Sequence, residues 1–190
     1  MLEDEIKYIR KAQRGDKEAF AQLYHHYLPK IYRFIYVKVS SKTEAEDLTH
    51  EVFMNTWQGI KSYTPQEFPF SSWLYRIARN EVIDFYRTAK KNIRLDLLEE
   101  DALKVPEQES FNLDQAMSVE NVMGLMKSLK PEQQDVLIMR FLEDLSPDEV
   151  AAALNKSSGA VRLIQHRAIN TLKELINKNV GSNNENITEA

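Results

Sequence analysis

Arg162, Leu163, His166, Arg167 and Asn170 fall at helical spacing within nine residues, and this side-chain set suits base edges and phosphates better than a core. The chemistry it offers is recognition, not bond making. A second set, Arg76, Asn80, Ile83 and Arg87, has Trp73 and Asp84 beside it and Arg79 at its margin. Arginines, an amide and an aromatic next to a loop bearing Tyr63, Phe68 and Phe70 are what unstacked single-stranded bases require: charge for the backbone, planes for stacking and an amide for an exposed base edge. A third set, Asp47, His50, Glu51, Met54 and Gln58, places a methionine among acids in an i, i+3, i+4, i+7 stripe, as a helix docking on a basic partner would. Each set also has a plainer reading. The stripe can be a solvated face, the arginines solubilising, and Trp73 a packed core anchor.

Catalytic chemistry finds no comparable set. His50-Glu51 is not followed by a second histidine at the H-E-x-x-H spacing, and the adjacent His25 and His26 point about 100° apart on a helix, so they cannot share a metal. No glycine-rich phosphate loop occurs, and the serines, histidines and acids lack any motif context. The absence of cysteine removes disulfides, Cys-ligated zinc and thiol redox sensing. The expectation is a non-enzyme with no cofactor and no metal.

The elements that must position these side chains read as helices. Five glycines, six prolines and abundant Leu, Ala, Glu, Lys and Gln in 190 residues favour an all-α chain. Ser146, Pro147 and Glu149 form a capping box opening a short helix to about Leu154. Asn155-Lys156 breaks it, and Ser157 caps a longer helix that buries Val161, Ile164, Ala168 and Leu172. With Ala151, Ala152 and Ala153 allowing close approach, this is a helix-turn-helix pattern; a helical hairpin inside an ordinary bundle is the alternative. The recognition residues lie on its second helix.

Upstream, residues 3–14 form an amphipathic helix ended by Gly15, and Asp16 caps a helix whose Phe20, Leu23, Tyr24, Tyr27, Ile31, Phe34 and Ile35 are core. Thr43-Glu44-Ala45-Glu46 reads as a capping box for the next helix, with Ala45, Leu48, Thr49, Val52, Phe53 and Thr56 inward. After a proline-containing loop, Ser71 or Ser72 caps a helix through Arg87 that buries Leu74, Ala78, Val82 and Phe85. Residues 91–114 read as an acidic linker, 115–178 as a second helical domain and 179–190 as a disordered tail. The first domain is 1–90.

The formal charge of −4 is unusual for a nucleic-acid binder, but it is unevenly spread. Residues 89–115 hold four basic and seven acidic residues, whereas Leu74 to Arg94 holds six basic and two acidic, and Lys156 to Lys178 five basic and one acidic. DNA affinity is therefore expected to be weak without a partner. No apolar run reaches the roughly 18 residues of a membrane span, and the charged N-terminus is unlike a signal peptide. A cytoplasmic protein without membrane insertion is expected.

Four motifs in order, D-x-x-A-F-x-x-L-Y from Asp16, E-A-E-D-L-T-x-E-V-F from Glu44, F-x-S-W-L-Y-R-I-A-R-N from Phe70 and L-x-P-E-Q-x-x-V-L from Leu129, resemble those of bacterial sigma factors of the extracytoplasmic-function (group IV) type. The resemblance implies a region 2 bundle and a region 4 helix-turn-helix joined by a flexible acidic linker, with region 3 absent. It implies that Asp47, His50, Glu51 and Met54 dock on the β′ clamp helices of core RNA polymerase. It further implies that Trp73, Arg76, Asn80 and Arg87 hold the melted minus-ten element, and that Arg162, Leu163, His166 and Arg167 read minus-thirty-five promoter DNA. A chain monomeric when free and an anti-sigma partner are also implied. Leu163-Ile164 stands where relatives often carry Ser-Arg, so base preferences do not transfer directly. A conventional helix-turn-helix regulator, which would bind duplex DNA without polymerase, and a polymerase-binding decoy are the competing readings.

Overall fold

The computed structural model describes residues 4–96 and 124–185, and among them the chain is helical with no strand. Helix α1 (Glu5–Gln13), α2 (Lys17–Val39), α3 (Lys42–Gly59), a 3-10 turn (Ile60–Ser62) and α4 (Phe70–Asp96) form the first bundle. Gly15 at φ +91° makes the reversal after α1, a conformation that glycine adopts without strain. Asp16 then accepts from the Ala19 amide at 3.0 Å and caps α2. The Tyr27 hydroxyl donates to Glu5 and fastens α1 to α2. Burial first, and then that carboxylate, push the Tyr27 hydroxyl above its ordinary range.

The core is aromatic where α2 meets α4. Phe34 packs edge-on to Tyr75 at 5.4 Å, Tyr27 lies 5.5 Å from Phe70, and Tyr63 stacks on Trp73 at 4.9 Å. Gly59 lies close under the Trp73 ring: a Cβ there would sit 3.3 Å from it, tight enough that the ring would have to shift by a few tenths of an ångström. The inward residues expected on α3 are inward, Leu48 only partly. Its cap differs from expectation: Ser41, not Thr43, accepts from the Glu44 amide. The reason is that Ser40 ends α2 in the left-handed region, which leaves the extended Ser41 to start the next helix at once.

The second bundle holds a helical turn at 124–127, α5 (Pro131–Leu137), a π turn (Ile138–Leu142), α6 (Pro147–Leu154) and α7 (Ser158–Glu185). The capping box of α6 is present in both directions, with Ser146 Oγ accepting from Glu149 N at 3.2 Å and Glu149 Oε2 accepting from Ser146 N at 2.8 Å. Asn155 ends α6 in the left-handed conformation, and Ser157 Oγ accepts from Ala160 N. Val161 and Ala168 are buried, Ile164 and Leu172 partly so.

Three boundaries shift. Helix α4 begins at Phe70, so Ser71 and Ser72 lie inside it, and it runs on through Asp96 into the segment expected as linker. Helix α7 continues through Glu185, into the segment expected as disordered tail. Neither stretch carries a proline, and a helix already nucleated extends at little cost per residue. The remainder of the linker, the expected helix start at 115–123 and residues 186–190 lie outside the described residues.

Candidate nucleic-acid and protein interfaces

On α3 the side chains of Asp47, His50, Glu51, Met54 and Gln58 are all exposed, Met54 by 41%. Beside this stripe lies a groove of about 260 Å³ lined by Lys17, Phe20, Tyr24, His50, Phe53, Met54 and Trp57. Trp57 packs on Phe20 with ring centres 4.9 Å apart. Trp57, not among the residues expected on this face, lies three residues after Met54 and so one turn along the same stripe, a position that helical spacing alone signals. The exposed acids Asp47 and Glu51 with an apolar slot at their edge suit a basic, amphipathic helical partner.

On α4 the expected set divides. Asn80 and Arg87 are exposed, Ile83 stands 44% exposed, and Arg87 pairs with Asp84 at 3.1 Å. Arg76 is half-buried, its guanidinium 4.7 Å above the Phe68 ring. Trp73 does not share this face. It is 9% exposed, walled by Tyr63, Phe70 and Gly59, so the core-anchor reading holds for it. Tyr63 and Phe70 are buried too. The aromatic planes expected to await bases stack mainly on one another, and Phe68 is the half-exposed member. Gln13 Nε2 donates to the carbonyls of Ile60 and Tyr63 at 3.1 and 2.7 Å, and the Tyr63 hydroxyl donates to Phe68 O at 2.8 Å, which fixes the loop.

On α7 Arg162, Leu163, His166, Arg167 and Asn170 are exposed. Leu163, at 49% exposure, is an apolar side chain held in solvent between two arginines, as a contact to a thymine methyl requires. His166 Nδ1 lies 3.5 Å from the Asn170 amide. Among the described residues no three His, Asp or Glu side chains gather as a metal site. His26 instead meets Lys30 at 3.1 Å, and burial, then the lysine, lower its pKa.

The structure adds contacts that no sequence pattern signalled, between the two bundles. Asp135 on α5 sits between Lys38 of α2 and Arg79 of α4, the latter at 2.9 Å. Glu143 accepts from Arg33 Nε at 2.7 Å and Nη2 at 2.9 Å. Those bonds and the Glu143 charge, against partial burial, raise the Arg33 pKa. Ser71 and Ser72 donate to the Glu149 side chain and carbonyl at 3.1 and 2.8 Å. Nearby, the Tyr75 hydroxyl is buried without a hydrogen-bond partner among the described residues.

Comparison with known proteins places the chain in a family. Residues 23–92 match Sigma-70 region 2 and residues 125–174 match Sigma-70 region 4. The chain is 34% identical over 172 residues to the ECF RNA polymerase sigma factor BldN of Streptomyces coelicolor, covering 90% of this chain and 65% of that protein's length. It is 32% identical over 176 residues to the ECF RNA polymerase sigma factor SigD of Mycobacterium tuberculosis, covering 88% of this chain and 82% of SigD. The fold is shared with the sigma factor RpoE of Bartonella quintana, solved in complex with the anti-sigma factor NepR, at a TM-score of 0.65, 22% identity, and coverage of 83% of this chain and 96% of RpoE. With both conserved regions matched in order and relatives aligned over most of its length, the chain belongs to the extracytoplasmic-function RNA polymerase sigma factors, the promoter-specific initiation factors built from sigma-70 regions 2 and 4.

Proposed function

We propose that this sigma factor docks on the β′ clamp helices of core RNA polymerase through Asp47, His50, Glu51 and Met54, with Trp57 and Phe20 supplying the apolar slot. It reads the minus-thirty-five duplex through Arg162, Leu163, His166 and Arg167, and captures the melted minus-ten strand on α4 through Asn80, Arg76 and Arg87. The exposed acid-and-methionine stripe on α3 carries this reading. A conventional DNA-binding regulator has no use for such a face, whereas a factor that works only on polymerase needs one.

The energetics fit a factor that catalyses nothing itself. Unpairing costs a few kcal/mol per extruded base, and stacking and hydrogen bonding to single-stranded bases return about 1–3 kcal/mol each. Asn80 offers a donor and an acceptor to one base edge, while Arg76 and Arg87 supply backbone charge. A net charge of −4 leaves intrinsic DNA affinity low, so promoter binding waits for polymerase. The absence of a helix long and apolar enough to cross a membrane among the described residues is consistent with action on cytoplasmic DNA. An anti-sigma factor would cover the α3 face and compete with polymerase, and the free chain would be a monomer.

The test is complex formation with sigma-free core polymerase. An Asp47→Ala, Glu51→Ala double variant should lose on the order of 100-fold or more in affinity, as expected for two central interface positions, while keeping its helical content. Wild-type binding that the variant retains would overturn the assignment of this face. No binding by the folded wild type would overturn the function.

A further inference from the structure

Beside the bonds from Ser71 and Ser72 to Glu149, the bundles are joined by charge pairs in which, among the described residues, the cations lie on region 2 and the carboxylates on region 4. The Asp135 side chain is 2% exposed and Lys38 6%, with Arg79 closing the second carboxylate oxygen; Glu143 is fully covered and gripped at both oxygens by Arg33. Such pairing contributes little net stability, because desolvating the ions costs about as much as their attraction returns. It is also exchangeable. A carboxylate and a phosphate diester present the same pair of acceptor oxygens to a guanidinium.

Arg79 is no isolated cation. It lies one turn from Arg76, about 60° around the helix, so it borders the face that carries Asn80 and Arg87. Lys38 is attached to the same place, since the Tyr86 hydroxyl of α4 donates to the Lys38 carbonyl at 2.7 Å. In the closed chain Lys38 and Arg79 are paired with region 4's own carboxylate, Asp135.

We propose that Lys38 and Arg79 form a seat for the phosphate backbone of single-stranded DNA, and that Asp135 occupies it in the free chain while the neighbouring Arg33–Glu143 pair helps to hold region 4 in place, so that region 4 and the melted strand compete for the same cations. The inference rests on the reading of α4 as the single-strand face, and its test omits polymerase so that the two can fail separately. Release of region 4 then unmasks the seat, and the masked form limits unproductive binding of single strands.

The native chain has no cysteine, so a Gln22→Cys, Asn177→Cys chain can carry a donor and acceptor dye on two exposed helix positions, one in each bundle and neither on a face assigned to binding. Energy transfer should be high in the free chain and fall when a single-stranded oligonucleotide of about 15 nucleotides is added at low salt. An Asp135→Asn, Glu143→Gln chain should show low transfer from the outset and bind the oligonucleotide about ten-fold more tightly, with a salt dependence steeper by one to two phosphate contacts. Adding Lys38→Ala and Arg79→Ala to that opened chain should cancel the gain. Transfer unchanged by oligonucleotide in the native chain would overturn the competition. A gain that survives loss of Lys38 and Arg79 would overturn the seat. Circular dichroism of each variant confirms that helix content is kept, and the native-chain titration needs no substitution at the contact.

Discussion

The two nucleic-acid faces differ in what lies over them. On α7 every side chain proposed for recognition stands in solvent, and α6 and the turn after it are set by local devices: a capping box and a left-handed asparagine. On α4 the outward face is continuous in sequence but not in space. Its first turn is buried against α6 through Ser71 and Ser72, Arg79 is spent on Asp135, and Arg76 lies on Phe68. The lesson is that the face proposed to read duplex is open in the free chain, whereas the face proposed to capture a single strand is partly committed to internal contacts.

The sharpest way to break this contrast is at the open face. Replacing Arg162 and Arg167 by Ala should remove about 1–3 kcal/mol for each base or phosphate contact, on the order of 100-fold in promoter-specific run-off transcription, with core polymerase binding unchanged. A parallel fall in polymerase binding would mean that the faces are not separate. Asn80→Ala probes the other face and should cost about ten-fold, within the range for one stacked or hydrogen-bonded base. That loss should appear with both duplex and pre-melted promoters; a loss confined to duplex would assign Asn80 to melting rather than holding.

Smaller effects test the scaffolds. Ser146→Ala removes the cap of α6 and should lower stability by about 1 kcal/mol, roughly 2–4 °C in thermal unfolding for a chain of this size. The smallest change concerns the underside of α4. Tyr75→Phe deletes a buried hydroxyl that has no partner among the described residues, so stability in urea should be unchanged or rise by up to about 1 kcal/mol; a clear loss would show that the hydroxyl is satisfied in solution, for instance by Glu143. Burial and then the Glu143 charge raise the pKa of this phenol, so it stays protonated throughout the working range and the test is independent of pH near neutrality.

Much of this was legible from residue order alone. Helical periodicity placed Val161 and Ala168 inside and Arg162 and Arg167 outside, and separated Val52 and Phe53 from Asp47 and Glu51, because a helix sets the direction of each side chain within a turn or two. Caps written in side-chain hydrogen bonds, at Asp16 and Ser146, were readable for the same reason. Ser71 and Ser72 were misread as caps because a serine at a helix start has the same local look whether it bonds its own backbone or another helix. Trp73 was ambiguous until the ring stack with Tyr63 settled it.

What the tertiary structure alone decided are the partners of the charges. Arg33 and Glu143 are 110 positions apart, and Lys38 and Asp135 are 97 apart, and nothing in a periodic pattern says which carboxylate an arginine will meet. Local sequence determined the helices, their buried faces and the exposed side chains proposed for recognition, since those depend on short-range geometry and apolar spacing. The packing of region 4 on region 2 determined which of those side chains are free, because long-range charge pairing is a property of surfaces that exist only once both bundles have folded.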